Sequence, residues 1–337
     1  MKRVPVFLVT GFLGSGKTTL LNAVLGSPGF ANTAVIVNEF GDIGLDHLLV
    51  AQSQDNVVLL DAGCLCCTVA DSLHETLADL NARKVRGDVP PFARVIIETT
   101  GLADPAPIVN TLLGNRLVTD HYFLDAVIVT VDSRHGLSEL DDHAEVAKQI
   151  AMADRLVVTK LDLGPLPDAF QTRLTRLNPA ARRLDSRDSD TPAAAFAPGE
   201  RHHIPGLASE VASHQHAHDV NRHDERIRAH GFVLSGAVSW SGIAAWWQLL
   251  TETFGDRLLR LKGIVEIADT GEIVFLQGVQ RVFHRPERLD GWPDADHRSR
   301  LVCITRDVDA AQLRMTLDAL ALPPGSDPHA FAFPTAT

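Results

Sequence analysis

Gly11-Phe12-Leu13-Gly14-Ser15-Gly16-Lys17-Thr18 follows directly on the apolar run Val4-Pro5-Val6-Phe7-Leu8-Val9-Thr10. The spacing is G-x-x-x-x-G-K-[ST], the pattern of a loop that wraps a chain of phosphates. Gly11, Gly14 and Gly16 let the backbone around Ser15 fold into a nest of N–H donors. Lys17 can reach the β and γ oxygens, and the Thr18 hydroxyl is a ligand for Mg²⁺. A helix that starts at Lys17 adds the positive end of its dipole to the same point. Strand, glycine loop and helix in that order are the first unit of an α/β fold, a P-loop NTPase domain on a mainly parallel sheet.

Outward from this unit, short β-branched runs alternate with longer helical patterns, as crossover connections between parallel strands require. Strands are expected at residues 4–10, 33–38, 57–61, 94–98, 126–132 and 155–160. Helices are expected at residues 18–25, 72–81, 105–113 and 142–153. The strands are apolar throughout, which suits a sheet covered on both faces. From about Ser186 to Asp224 the chain is rich in Asp, Ser, Ala, Pro and His with little periodicity, and it reads as a linker. Strands at 231–238, 258–267, 272–282 and 301–306 then follow, with helices at 241–254 (Ser241 near its cap) and 310–320. These make a smaller α+β domain. The expected division is 1–205, a His-rich linker at 206–228, and a C-terminal domain at 229–330.

Thr159-Lys160-Leu161-Asp162 closes a late strand. A carboxylate there accepts both N1–H and the exocyclic amine of guanine, a donor pair that adenine lacks, so Asp162 selects GTP and GDP over ATP. The Lys160 stem covers one face of the base, and Thr159 stands where Asn is commoner. The loop Asn178-Pro179-Ala180 is placed to close its backbone over the base. Val95-Ile96-Ile97-Glu98-Thr99-Thr100-Gly101 is an apolar strand that ends in a carboxylate and then a glycine. Glu98 can hold Mg²⁺ through water or orient the attacking water, and Gly101 can donate its N–H to the γ-phosphate.

The 337 residues suit two domains, and 45% hydrophobic with 22% charged residues describes an ordinary globular chain. A net charge of −11 argues against nucleic acid and against an anionic membrane, both of which need basic surface. No run of ~18 apolar residues is present for a membrane span. The first residues lack a small-residue cleavage site and enter the glycine loop, so they read as a buried strand of a cytoplasmic protein. Of four cysteines, Cys64, Cys66 and Cys67 sit together, and Cys303 is far away in an expected strand. That spacing is a site, not a disulfide framework.

Three thiolates on a loop before a helix can converge on one ion, with Zn–S contacts of ~2.3 Å. Thiolates select Zn²⁺ or Cu(I) over Mg²⁺, and the helix N-terminus favours their ionised form. Three ligands leave a fourth position open, as a site that passes its ion on requires. Buried inert cysteines and a redox sensor are the competing readings.

By these motifs together the chain resembles the CobW/YjiA family of metallochaperone GTPases over nearly its whole length. Residues 11–19 match the family phosphate loop, which brings in Thr19, and Val37-Asn38-Glu39-Phe40-Gly41 matches its switch segment. Gly63-Cys64-Leu65-Cys66-Cys67 is similar to the G-C-x-C-C motif, and Glu98-Thr99-Thr100-Gly101-Leu102-Ala103-Asp104-Pro105 to the Walker B region. Leu259-Arg260-Leu261-Lys262-Gly263 and Phe275-Leu276-Gln277-Gly278-Val279-Gln280-Arg281 resemble the YjiA branch. The resemblance implies slow GTP hydrolysis coupled to binding and release of a divalent transition metal, often zinc, for a client metalloprotein. It further implies that Glu39 is an extra oxygen ligand or a hydrolysis residue, and that Asp46 approaches Mg²⁺.

Two other readings share these residues. One is a zinc buffer or sensor with little turnover; the other is a P-loop kinase, against which Asp162 argues. A homo-oligomer is compatible with the sequence. His202, His203, His214, His216, His218, His223 and His230 are either a weak metal collector or incidental residues of a polar linker. Trp240, Trp246, Trp247 and Cys303 read as core or interface.

Overall fold

The structure is a computed structural model that describes residues 3–37, 57–61, 69–199, 202, 204 and 226–327. The chain divides into two compact units, Met1–Arg201 and His202–Thr337.

The first unit is built on seven strands: β1 (Val4–Gly11), β2 (Thr33–Val37), β3 (Val57–Asp61), β4 (Arg94–Glu98), β5 (Tyr122–Asp132), β6 (Arg155–Thr159) and β7 (Arg182–Asp185). Every pairing is parallel, in the order β3-β2-β4-β1-β5-β6-β7. The chain runs outward from β1 to β2 and β3, returns to lay β4 beside β1, and then builds β5 to β7 on the other side. The order therefore reverses at β1, and such a reversal leaves a crevice at the C-terminal strand ends.

Helices α1 (Lys17–Leu25), α2 (Val69–Arg86), α3 (Pro105–Gly114), α4 (Arg116–Thr119), α5 (Gly136–Asp142), α6 (Ala144–Met152), α7 (Asp168–Leu177) and α8 (Thr191–Ala195) complete the unit. Phe7, Val9, Val35, Ile96, Ile128 and Val157 bury one face of the sheet under Leu21, Val24 and Leu25 of α1, with Phe196 in the same cluster. Val6, Leu8, Val95, Ile97 and Val127 are equally buried, so both faces are covered, as a parallel sheet demands. None of the described helices is long and apolar enough to cross a membrane.

Three features depart from the expected pattern. The helix expected at 142–153 is Ala144–Met152, and a further helix, Gly136–Asp142, precedes it; between them His143 is extended (φ −130°, ψ 115°) and stacks its ring on Phe12 at 4.5 Å. β7 went unread because Arg182-Arg183-Leu184-Asp185 is an edge strand with one buried side chain. Residues 186–199 are not linker. The Arg155 guanidinium, 2% exposed, donates to the carbonyls of Ala195 and Ala197 at 2.6 Å each, and Phe196 packs edge-on against Phe7 and Phe30.

The second unit has β8 (Ile227–Val233), β9 (Leu258–Glu266), β10 (Ile273–Val279), β11 (Val282–Phe283), β12 (Glu287–Leu289) and β13 (Arg300–Arg306), with α9 (Trp240–Thr253) and α10 (Ala310–Thr316). The sheet is antiparallel, ordered β11-β10-β9-β13-β8 with β12 also on β10. β8 starts at Ile227, inside the stretch read as linker, and His230 is a strand residue whose Nε2 meets the Val308 carbonyl. The expected strand at 231–238 leaves the sheet after Val233, and Val238 keeps only an isolated bridge to Ile267. The cap of α9 is Ser239, not Ser241; its hydroxyl accepts from Gly242 N–H. Trp246 and Cys303 lie in the core, and the indole N–H of Trp246 donates to Thr316 Oγ1 at 3.0 Å.

Asn178 ties two helices of the first unit together. It caps α7, and its Nδ2 donates to the carbonyls of Ile150, Ala151 and Ala153 at 2.8, 3.2 and 2.9 Å, which satisfies the end of α6. Asn178→Ala should cost about 2 kcal/mol of stability by leaving buried carbonyls without donors. Asn178→Asp, which sets a carboxylate against those carbonyls, should cost more. Chemical denaturation midpoints check both; a loss in Asp no greater than in Ala would contradict this account.

Candidate functional site

The glycine loop sits where β1 meets α1. Gly11 has φ 139°, and a Cβ there would lie 2.5 Å from the Thr130 carbonyl, so only glycine lets β1 stay this close to β5. Gly14 (φ 68°) and Gly16 (φ 96°) are left-handed, a conformation open to glycine at no steric cost. Gly16 is also the N-cap of α1; no side chain caps that end and no acidic residue occupies its first turn. The first N–H groups of α1 thus present a positive pole suited to an anion. Lys17 is buried, and its Nζ donates to the carbonyls of Gly11 and Phe12 at 3.0 Å each. Thr19 is exposed.

Hydroxyls fasten this loop to the sheet. Ser15 Oγ and Thr130 Oγ1 are 2.7 Å apart, and Thr159 Oγ1 donates to the Ser15 carbonyl at 2.8 Å. Thr159, the residue in the usual Asn position, therefore joins the end of β6 to the phosphate loop. On the other side, Thr18 Oγ1 donates to Glu98 Oε1 at 2.8 Å, and Glu98 is 4% exposed. Thr99 reaches β1 through its N–H to the Val9 carbonyl and its hydroxyl to Thr10 Oγ1.

Gly101 lies against the loop itself, since a Cβ there would fall 2.6 Å from Leu13 N. Gln149 Nε2 holds the carbonyls of Gly101 and Ala103 at 3.1 Å each. Asp104 caps α3 and pairs with Lys148 at 3.1 Å.

The base motif is a tight turn. Lys160 is left-handed (φ 57°, ψ 25°) and starts the 3₁₀ turn Leu161–Leu163, on which Asp162 is exposed. Lys160 Nζ donates to Asp132 Oδ2 at 2.6 Å. Burial pushes the Asp132 carboxyl up. The Lys160 ammonium, the N–H groups of Arg134 and His135 and the His135 ring outweigh that and hold it below its ordinary value. The side chain of Asn178 is taken up by α6, which leaves the backbone of its loop for any contact with a base.

Glu39, Asp46, Cys64, Cys66 and Cys67 lie outside the described residues, as do His203, His214, His216, His218 and His223. Their flanks are described. Val37 pairs with both Asp61 and Glu98, so the ends of β2, β3 and β4 are level. At about 4.8 Å between strands, the segment holding the cysteines leaves the sheet roughly 10 Å from Glu98. Among the described residues, no three His, Cys, Asp or Glu side chains form a group that could hold a metal ion. His202 instead meets Glu287 at 3.2 Å and the Phe275 ring.

Several residues of the site escaped the sequence reading: Thr10, Thr130, Asp132, His143 and Gln149. The one available signal was Asp132, a charge at the end of the apolar run Ala126–Val131.

The sequence profile of the CobW/HypB/UreG nucleotide-binding domain matches residues 5–185, and that of the cobalamin synthesis protein cobW C-terminal domain matches residues 227–321. The zinc chaperone YjiA of Escherichia coli K12 is 30% identical over 327 residues, covering 95% of this chain and 99% of the relative. The zinc-regulated GTPase metalloprotein activator 1 of Schizosaccharomyces pombe is 28% identical over 318 residues, covering 83% and 76%. The crystal structure of Zn(II)-bound YjiA GTPase from Escherichia coli aligns with TM-score 0.68 at 26% identity, covering 96% of this chain and all of that one.

Gly101→Ala drives a methyl into the loop backbone at Leu13. Because the loop backbone must move to admit it, GTP affinity should fall by roughly tenfold or more, about 1.4 kcal/mol. Gly29→Ala, with nothing within 4 Å, is the matched control. Fluorescent-nucleotide titration reads both, and equal affinity would remove Gly101 from the site.

Proposed function

This chain is a GTPase that belongs to the CobW/HypB/UreG family, and we propose that it loads a divalent transition metal, zinc foremost, on Cys64, Cys66 and Cys67 and couples its release to GTP hydrolysis. The receiver is a client metalloprotein in the cytoplasm. The observation that carries the reading is the level register of Val37, Asp61 and Glu98. The switch segment with Glu39 and the cysteine segment leave the sheet from neighbouring strand ends, on the edge that holds the phosphate loop. A change at the γ-phosphate is then felt by both. Zinc is the cargo of this cycle.

On this reading Gly11, Gly14, Ser15, Gly16, Lys17, Thr18 and Thr19 cradle the phosphates, with Thr159, Lys160 and Asp162 on the guanine and the Asn178 loop closing over it. Mg²⁺ fits the donor set: the Thr18 hydroxyl and the Glu98 carboxylate are adjacent hard oxygens at 2.8 Å. Thr18, Glu98 and Asp46 would hold it, and it would neutralise charge on the β and γ oxygens. Lys17 stabilises charge that grows on the transferred group, Gly101 N–H donates to the γ-phosphate, and Glu98 or Glu39 orients the water.

Lys17→Ala should lower turnover by about a hundredfold or more, with the fold intact by circular dichroism. Wild-type hydrolysis by the folded variant would refute the phosphate assignment.

Coupling is tested by zinc titration against a chelator in each nucleotide state. Binding should be about 5- to 150-fold tighter with a non-hydrolysable GTP analogue than with GDP, the span of ordinary allosteric couplings. Serine at Cys66 and Cys67 should abolish the difference and leave nucleotide binding unchanged. Equal zinc affinity in both states would leave a static metal site and end the delivery mechanism.

A further inference from the structure

The turn that follows β5 touches the base motif at three successive points. Ser133 N–H donates to the Thr159 carbonyl at 3.1 Å. Asp132 Oδ2 accepts Lys160 Nζ at 2.6 Å. Arg134 Nη1 donates to the Leu163 carbonyl at 3.3 Å and lies 2.9 Å from where a Cβ on Gly164 would be. The turn 159–164 is thus held at both ends, at Thr159 and Lys160 and at Leu163 and Gly164, with Asp162 between them.

Asp132 is the anchor of this grip. It is 1% exposed, and its Oδ1 accepts the N–H groups of Arg134 at 2.7 Å and His135 at 3.2 Å. That shapes the very turn from which Arg134 reaches across. Its Oδ2 takes Lys160, and the His135 ring nitrogen Nδ1 at 3.1 Å. Lys160 adopts a left-handed backbone without being glycine, a conformation that persists where its surroundings enforce it. With its ammonium committed to Asp132, Lys160 has its direction set and offers a base the four-carbon stem.

We propose that Asp132, with Arg134, is the positioning element of the base pocket, holding the Lys160–Gly164 turn so that Asp162 meets a base with two adjacent N–H donors. The proposal rests on the reading of Asp162 as the guanine-recognition residue. The bonds of Asp132 and Arg134 go to Lys160, Leu163 and their own turn rather than to the glycine loop, so their loss acts on base selection and not on the chemical step.

Equilibrium binding of GDP, IDP and ADP to the full chain tests it. Inosine lacks the exocyclic amine of guanine, so the GDP/IDP ratio reads one of the two bonds to Asp162. Wild type should favour GDP over IDP and strongly over ADP. Asp132→Asn sets an amide against an ammonium; it should weaken GDP about tenfold or more, weaken IDP much less, and bring the ratio towards one. Turnover at saturating GTP should stay within about twofold, with the loss appearing in KM. Arg134→Ala, at an exposed residue, should lower the ratio part of the way, and it carries the test alone if Asp132→Asn does not fold. An unchanged GDP/IDP ratio in the folded variants overturns the positioning role. A wild-type protein indifferent between GDP and ADP overturns the base-site reading itself, and the two results cannot be confused.

Discussion

The site depends on how tightly its glycine loop is held to the sheet. Ser15 is fixed at both ends, its hydroxyl to Thr130 and its carbonyl to Thr159, residues that come more than a hundred positions later. Gly11 permits this closeness, because any side chain would collide with the Thr130 carbonyl. Each bond is a neutral hydrogen bond worth about 1 kcal/mol. Together they make the loop and the tips of β5 and β6 one rigid body. The nest of N–H donors is then formed before an anion arrives, and binding need not order it.

A parallel sheet sends every strand out through the same edge, so residues distant in sequence share one line. β1 brings the glycine loop to that line, β4 brings Glu98, and β6 brings the Lys160–Leu163 turn. Outside the ladder, hydroxyls carry the links between them: Thr18 to Glu98 and Thr99 to Thr10 on one side, Thr159 to Ser15 on the other. A disturbance at any one strand tip is shared by its neighbours. That physical arrangement is the one a nucleotide-operated switch needs.

The strand–loop–helix unit at the start of the first domain was readable because short-range rules govern it. The glycine spacing, the apolar strand before it and the capless helix after it are all local, and β1, β3, β4 and α1 stand close to their expected bounds. What escaped depends on tertiary partners. The break at His143 is decided by stacking on Phe12, in another part of the chain. The side chain of Asn178 is drawn into the end of α6, a tie that only the folded chain shows. Residues 186–199 have linker composition, yet a single buried guanidinium, Arg155, brings them back to the first unit. Strand β8 starts earlier than expected because Arg228 and His230 interrupt the apolar pattern of Ile227 to Val233, and the pairing with β13 decides the bounds instead.

The place of Phe196 bears on how the protein is made. The apolar face of α1 and β1 is made well before its lid, Phe196, which meets both Phe7 and Phe30. About 170 residues separate α1 from that lid; at the 5–20 residues per second of synthesis, the uncovered face waits roughly 10 to 35 s. During that interval Phe7 and Phe30 lack the ring that closes over them. The last cover of this face is thus a segment made long after the face itself, and the first unit reaches its final packing only once residue 197 has emerged.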